Sequence, residues 1–561
     1  MPSKIRFSAF LLFFFGLMFF ACSPKTAENQ SAEQNQEQPL NFVLIYTDEL
    51  QFSDLGCYGG KFPTPNIDQL AKEGMQFMQA HTTASMCTPS RFSVMTGKMA
   101  GRCQAPDFLN AFPINTPYSI AWNTHIDQNM PTIPRLLAEQ GYYTGMAGKW
   151  HIGKLPDSLN IPKLNTDDDI QDSSVAAKLK KRHDLTADYL KASAGFQEAN
   201  SVLWGNFDGF PVKALQYHNI PWITKGGIEF LQSAQQKEKP FFLYIAPTAI
   251  HGPNHVDNLT ENLRYTLEGY LPEVAKYQPD SLLLIEQANQ YTQGEAHRFA
   301  GIAHIDHQVG FLVEHLEGLY DNTAIIFMAD HNIEPGKATC YEKGTHVPMI
   351  VRWPGMQSGV VNETTLVQNT DILPTLLNTT GNNNLPPLFD GADFLPVLKG
   401  EKDQVRDYVF AEAGYTRSVY DGTHKYIALR FPEDINQQIQ NGSLLKAPNH
   451  LNVAKQAHSR IAIEYFPDYF DGDQLYDLVN DPYEQQNLAG NTAYAEKMQQ
   501  LQDALKKHLG TIAHPFDLED ETLQSAAYQQ LKTNAREQNT VDDIVWFKRD
   551  HGEFVWPPEG E

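Results

Sequence analysis

Between residues 40 and 380 the chain alternates short, almost wholly apolar runs with longer stretches whose apolar residues recur every three or four positions. Asn41 to Thr47 (NFVLIYT) is the clearest run, and Tyr142 to Ala147, Phe241 to Ala246, Thr323 to Ala329 and Pro348 to Trp353 repeat its character. Such runs suit strands buried on both faces, as in a parallel sheet. Helical spacing marks Asn66 to Glu73, Thr132 to Gln140, Ile223 to Ala234, Ala300 to Leu316 and Asp371 to Thr379. The alternation predicts an α/β domain over residues 40–400, with a largely parallel mixed sheet flanked by helices. In such a sheet, ligands bind beyond the carboxyl ends of the strands.

Past residue 400 the texture changes. Short aromatic runs, Tyr408 to Ala411 and Lys425 to Leu429, predict a smaller C-terminal α+β subdomain over 401–515, with a small antiparallel sheet and a helix over Glu496 to Leu509. Residues 516–561 read as an extension. At the other end, Lys4 and Arg6 precede an apolar run from Ala9 to Phe20, too short to span a bilayer and fitted to the core of a signal peptide. It ends in Phe19-Phe20-Ala21-Cys22-Ser23, which resembles the lipobox of bacterial lipoproteins, with Phe19 where an aliphatic residue is usual. The expectation is export to the periplasm or cell surface, residues 1–22 as leader, Cys22 as the lipidated anchor to the membrane, and 23–39 as a flexible tether. Ordinary cleavage is the alternative.

Composition narrows the chemistry. At 561 residues, with 42% hydrophobic and 20% charged positions, the chain is long enough for one large domain and a companion. A net charge of −24 argues against nucleic acid as a partner and against a general polyanion-binding surface, so an anionic substrate requires a locally basic pocket. With Cys22 assigned to lipid and Cys87 to chemistry, Cys57, Cys103 and Cys340 remain. An odd remainder argues against a disulfide framework and leaves one bridge open, Cys57 with Cys103.

The chemistry-bearing segments sit where strands end. Cys87-Thr88-Pro89-Ser90-Arg91 reads as a helix start, with Thr88 at the cap and Pro89 at the first helical position. A cysteine there faces unpaired amides and the positive end of the helix dipole, a place for a sulfate or phosphate. The residues alone allow an activated cysteine beside Arg91 or a buried structural thiol. Asp48-Glu49 and Asp330-His331 follow two of the apolar runs. Acidic pairs at two strand ends can converge on a hard cation, while either pair alone also suits a turn or cap. Lys149 and His151 (GKWHIG) share one face of an extended segment, His251 follows the run FFLYIAPTAIHGP, and Lys337 precedes YEKGTHVP. Trp122, Trp204 and Trp222 could offer faces to sugar rings, although isolated tryptophans more often serve the core.

Cys87-Thr88-Pro89-Ser90-Arg91 with the later Thr96-Gly97 pair resembles the signature Cys-x-Pro-Ser-Arg of the type I, formylglycine-dependent sulfatases of the alkaline phosphatase superfamily. PNIDQLAKEG, IDHQVG around Asp306, TDILPTLLNTTG and LYDLVNDPYEQQNLAG extend the resemblance over residues 40 to 510. It implies a sulfatase-like α/β fold and hydrolysis of sulfate esters. It also implies that Cys87 is oxidised to formylglycine by a formylglycine-generating or sulfatase-maturating enzyme. One hydroxyl of the aldehyde hydrate attacks sulfur and the other later expels sulfate. The same resemblance implies one Ca²⁺ held by Asp48, Glu49, Cys87, Asp330 and His331, with Glu49 and the His331-Asn332 pair departing from the usual residues. It directs Arg91, Lys149, His151 and Lys337 at the sulfate and hydrate, and makes His251 the general acid. An exported, lipid-anchored member resembles the sulfatases of bacterial polysaccharide degradation, with sulfated poly- or oligosaccharide as substrate. Two alternatives stand beside this expectation: a phosphonate monoester or phosphodiester hydrolase of the same superfamily, and a catalytically silent carbohydrate-binding lipoprotein.

Overall fold

Asn41–Thr47, apolar at nearly every position and buried throughout, forms the central strand β1. The computed structural model describes residues 38–333, 335–381, 389–444 and 457–537. The expected leader with Cys22 and nearly all of the tether lie outside them. Around β1 the chain adds β2 (Met75–Phe77), β3 (Tyr143–Lys149), β4 (Glu198–Leu203), β5 (Phe241–Ala246), β6 (Thr323–Ala329), β7 (Met349–Arg352) and β8 (Val360–Asn362). The eight strands line up in the order β8-β2-β7-β6-β1-β5-β3-β4. Only β7 runs against its neighbours β6 and β2, so the sheet is the predicted mixed, largely parallel one.

Registers place the carboxyl ends of five neighbouring strands on one edge: Thr47 pairs with Ala329, Ile45 with Ile245, Gly148 with Ala246, and Lys149 with Leu203. Backbone bonds carry this alignment past the strands. Asp330 N–H donates to Thr47 at 2.8 Å, Ile250 N–H to Asp48 at 2.9 Å, and His151 N–H to Trp204 at 2.8 Å. A bulge between Ala147 and Gly148, with Gly148 at φ +98°, interrupts the register just before Lys149. Such a bulge re-aims the side chains that follow it.

Helices α1 (Pro65–Glu73), α2 (Cys87–Thr96), α3 (Ile133–Glu139), α4 (Ser173–Ala194), α5 (Ile220–Lys237), α6 (Gln293–Glu314) and α7 (Ile372–Thr379) flank the sheet. Gly145 lets α5 lie close on β3, since a Cβ there would meet the Phe230 ring at 2.1 Å. Asp306 on α6 caps α1 by accepting the Asn66 and Ile67 amides, both at 2.9 Å, which gives the IDHQVG segment a structural role. The 22-residue α4 and the edge strand β4 were not marked by apolar runs.

A second sheet of four antiparallel strands follows: β9 (Val409–Ala413), β10 (Thr416–Tyr420), β11 (His424–Leu429) and β12 (Asp473–Asp477). Helix α8 (Ala495–Leu509) accompanies it, close to the expected range. Residues beyond 515 do more than extend the chain, because Leu523, Tyr528 and Leu531 join a cluster with Tyr415, Leu429, Phe431 and Ile439. The described residues from Pro39 onward form one compact unit. Among the described residues no helix is long and apolar enough to cross a membrane.

Candidate active site

Cys87 is the first residue of α2, and Met86, in extended conformation, takes the cap position. The helix thus begins one residue before the expected Thr88 cap. Pro89 is accommodated because the first-turn amides have no intrahelical acceptor, so its missing N–H removes nothing. Every residue of α2 is buried, and the Cys87 side chain sits below the C-terminal edge of the sheet with 1% of its surface exposed.

Three groups converge on its sulfur. His331 Nε2 lies 3.1 Å from Sγ, Asp48 Oδ1 3.5 Å and Lys149 Nζ 3.6 Å. Lys149 Nζ also contacts Asp48 Oδ2 at 2.5 Å. Arg91, one helical turn on, donates through Nε to Asp330 Oδ2 at 3.0 Å, and its Nη2 lies 2.9 Å from the same oxygen. Its Nη1 donates to the Tyr244 hydroxyl at 3.0 Å and to the Lys149 carbonyl at 3.3 Å. Burial would raise Asp48, but Lys149, His251, Arg91 and His331 more than offset it and hold the carboxyl well below its usual range. Burial, with the Asp48 charge, pushes the Cys87 thiol well up. His151 goes the other way, held neutral by burial and by the Lys149 charge.

Ligand atoms of Asp48, Cys87, Asp330 and His331 all lie within 4.8 Å of one another. His331 Nδ1 donates to the Asn332 carbonyl at 2.7 Å, which leaves Nε2 as a lone-pair donor facing the cluster. Two carboxylates, one such imidazole nitrogen and the position-87 side chain fit a divalent cation. Glu49 stands apart. With φ +56° its backbone turns the carboxylate away from this cluster to pair with Lys337, and Oε1 lies 3.7 Å from His251 Nε2. A non-glycine residue in that conformation is strained, by roughly 1–3 kcal/mol. His151, at φ +53°, is a second such residue at the site. Burial draws the Lys337 ammonium down to about 8.

His251 Nδ1 lies 3.0 Å from the Gly252 carbonyl, and Asn206 Nδ2 lies 3.2 Å from Nε2. Neither Asn206 nor Tyr244 was singled out from the sequence. Tyr244 hides in an apolar run, and Asn206 is signalled only by following a strand at the binding edge. Trp222 is fully buried and donates to Glu268 at 3.1 Å, which removes it as a sugar platform, while Trp204 remains half-buried. Cys57 and Cys103 are free thiols, so the bridge left open by the sequence is not formed.

Comparison with known proteins agrees with this geometry. The sulfatase family model matches residues 40–382, and a model of the C-terminal part of N-sulphoglucosamine sulphohydrolase matches 336–430. Human arylsulfatase A is 28% identical over 494 residues, covering 82% of this chain and 85% of its own. N-acetylgalactosamine-6-O-sulfatase of Bacteroides thetaiotaomicron is 26% identical over 561 residues, covering 86% and 95%. A solved sulfatase structure from work on glycosaminoglycan metabolism by Bacteroides thetaiotaomicron superposes with a TM-score of 0.57 at 22% identity, over 84% of this chain and 99% of that one. With the family model matched over more than half its length, the chain belongs to the sulfatase family and is a hydrolase of sulfate esters.

Proposed function

We propose that the protein removes sulfate from a sulfated saccharide, with Cys87 matured to formylglycine and one calcium ion beside it. The observation that carries this reading is the convergence of Asp48, Lys149 and His331 on the Cys87 sulfur at a helix N-terminus. Asp48, Asp330, His331 and residue 87 would hold the cation, which supplies positive charge to the sulfate oxygens. Glu49 then serves to position Lys337 and His251 rather than to bind metal.

Burial and the Asp48 charge push the Asp330 carboxyl up; Arg91 opposes that rise and aims the carboxylate through its contacts with Oδ2. Lys149 and Lys337 present fixed positive charge to the transferring group, and such preorganised charge is the largest catalytic term in many enzymes. His151, neutral and next to Lys149, is able to accept a proton from the matured residue 87. His251 protonates the leaving sugar oxygen. Asn206 Nδ2 donates to the unprotonated Nε2 and holds the ring in place between turnovers.

The name of the Bacteroides relative, an N-acetylgalactosamine-6-O-sulfatase, supports an amino-sugar sulfate as substrate. A formylglycine-generating or sulfatase-maturating enzyme is the required partner. Export, with a lipid anchor on Cys22 and a tether to about residue 39, completes the proposal, as does the division into a catalytic part to about 400 and a C-terminal subdomain beyond it. Mass spectrometry of the Cys87 peptide, from protein coexpressed with a maturation enzyme, is to be paired with sulfate release from sulfated oligosaccharides. Oxidised residue 87 with sulfate released supports the reading. Cleavage of phosphonate or phosphate esters alone supports the alternative, and unmodified cysteine in an active protein overturns the formylglycine mechanism.

A further inference from the structure

Beside His251 lies a cavity of about 260 Å³ whose walls include Leu155, Arg182, Trp204, Asn206 and Phe210. It adjoins the reacting centre through two residues. Asn206 contacts His251 Nε2 at 3.2 Å, and the Trp204 carbonyl accepts the His151 amide at 2.8 Å. Asn206 is thus shared between the wall of the cavity and the His251 side chain. The cavity volume lies at the lower end of small-molecule sites, roughly 300 Å³, which suits one sugar unit rather than a chain.

Arg182 is the unusual wall. It stands on α4, half-buried, with its guanidinium 5.4 Å from the centre of the Phe210 ring. Among the described residues it makes no ion pair, and no side-chain hydrogen bond of its guanidinium is found. The nearby acids are engaged elsewhere: Asp184 pairs with Lys180, and Glu268 accepts from Trp222 and faces His183. Burial draws the guanidinium below its usual range, with no acidic charge opposing the shift. An arginine on a surface helix ordinarily carries its charge out to water. Leaving it half-desolvated without a counter-charge is unfavourable unless a ligand supplies one. Asn206 Oδ1, shielded from solvent and without a partner among the described residues, adds an acceptor for a sugar hydroxyl.

We propose that this cavity is a subsite for a second anionic group of the substrate, a carboxylate or a second sulfate, recognised by Arg182 while the scissile sulfate lies at Cys87. The inference rests on the sulfated-saccharide reading above and narrows it to substrates with two or more negative charges. A guanidinium suits either oxyanion through its planar pair of N–H donors.

The test separates the two ideas. Binding is measured by calorimetry on Cys87→Ala protein, with Arg182 intact or changed to Gln, and turnover on matured protein with and without Arg182→Gln. Three probes are used: N-acetylgalactosamine 6-sulfate, the same sugar linked to a glucuronate, and its 4,6-disulfate. Arg182→Gln should weaken binding of at least one dianionic probe tenfold or more, and raise its KM while kcat changes little. The monosulfated probe should respond less than twofold. The dianionic probe that responds names the source of the second charge. Equal weakening of all three probes assigns Arg182 to packing and overturns the subsite, as does no change for any of them. Discrimination in binding, without sulfate release by the matured enzyme, would leave the subsite standing and sink the sulfatase reading on which its interpretation rests.

Discussion

The Asn206 amide stands 3.2 Å from Nε2 of His251, on the face of the imidazole that also meets the Glu49 carboxylate at 3.7 Å. A histidine gripped this way is held in one orientation. Leaving groups that need a proton should therefore depend on it more than those that do not. His251→Ala is expected to lower kcat/KM for a sugar sulfate by about 100-fold or more and for an activated aryl sulfate much less, with Asn206→Ala following the same pattern more weakly. Steady-state kinetics on both substrates check this, and equal losses would remove His251 from the acid role.

Cys87→Ala should abolish sulfate release and leave the fold intact. The sulfur makes contacts with polar groups but is a small part of a helix buried along its whole length. Circular dichroism and a thermal melt alongside the activity assay separate loss of chemistry from loss of structure.

Arg91→Lys should destabilise the protein strongly. A lysine cannot hold Asp330 and Tyr244 at the same time, and a buried carboxylate losing its partner costs about 3–5 kcal/mol. The drop in melting temperature should shrink when calcium is added, since the cation would restore positive charge beside Asp330. A melt unaffected by calcium would argue against Asp330 as a ligand.

Metal binding should distinguish Glu49 from Asp330. Chelation is expected to abolish turnover. In calcium titrations Asp330→Asn should lose measurable affinity, whereas Glu49→Gln should keep affinity within a few-fold and lose activity through Lys337 and His251. Parallel loss of calcium by both variants would restore Glu49 to the ligand set.

Acid should weaken the fold through buried histidines. Burial pulls His218 down to about 3 and His304 to about 4, and His255, stacked on His218 at 4.1 Å, shifts the same way. An unfolded histidine titrates near 6.5. The unfolded chain thus takes up protons first, and stability that is complete above about pH 6.5 falls as pH drops toward 4. Melting temperatures across that window test this. His304→Leu should flatten the decline, because both ring nitrogens of His304 lack partners among the described residues.

The buried strands β1, β5 and β6 were legible because a strand covered on both faces has no polar face to break its pattern. Edge strand β4 was not, since Glu198, Ala199 and Asn200 are only half-buried. Helix α4 buries Val175, Leu179, His183, Ala187, Leu190 and Ala194, a stripe at helical spacing diluted by its lysines and by a histidine. At the site, the candidates came from contiguous motifs, and residues that join them only through space carried no such signal. Arg182 and Asn206 lie 24 positions apart in segments without a recognisable pattern, and only the fold brings them to one cavity. The direction of Glu49 was also hidden, because it depends on a backbone angle rather than on residue type.

The burial of Cys87 has a consequence in time. With 1% of its surface exposed at the foot of a packed helix, its thiol is beyond the reach of another protein once the sheet has closed. The oxidation proposed for it must then win a race against folding, while residues 87–91 are still an extended strand that a second enzyme can grasp. On that proposal, a molecule that folds first keeps its thiol. The rate at which β1, β3 and β6 assemble around this helix would set the fraction of each batch that ever becomes an enzyme.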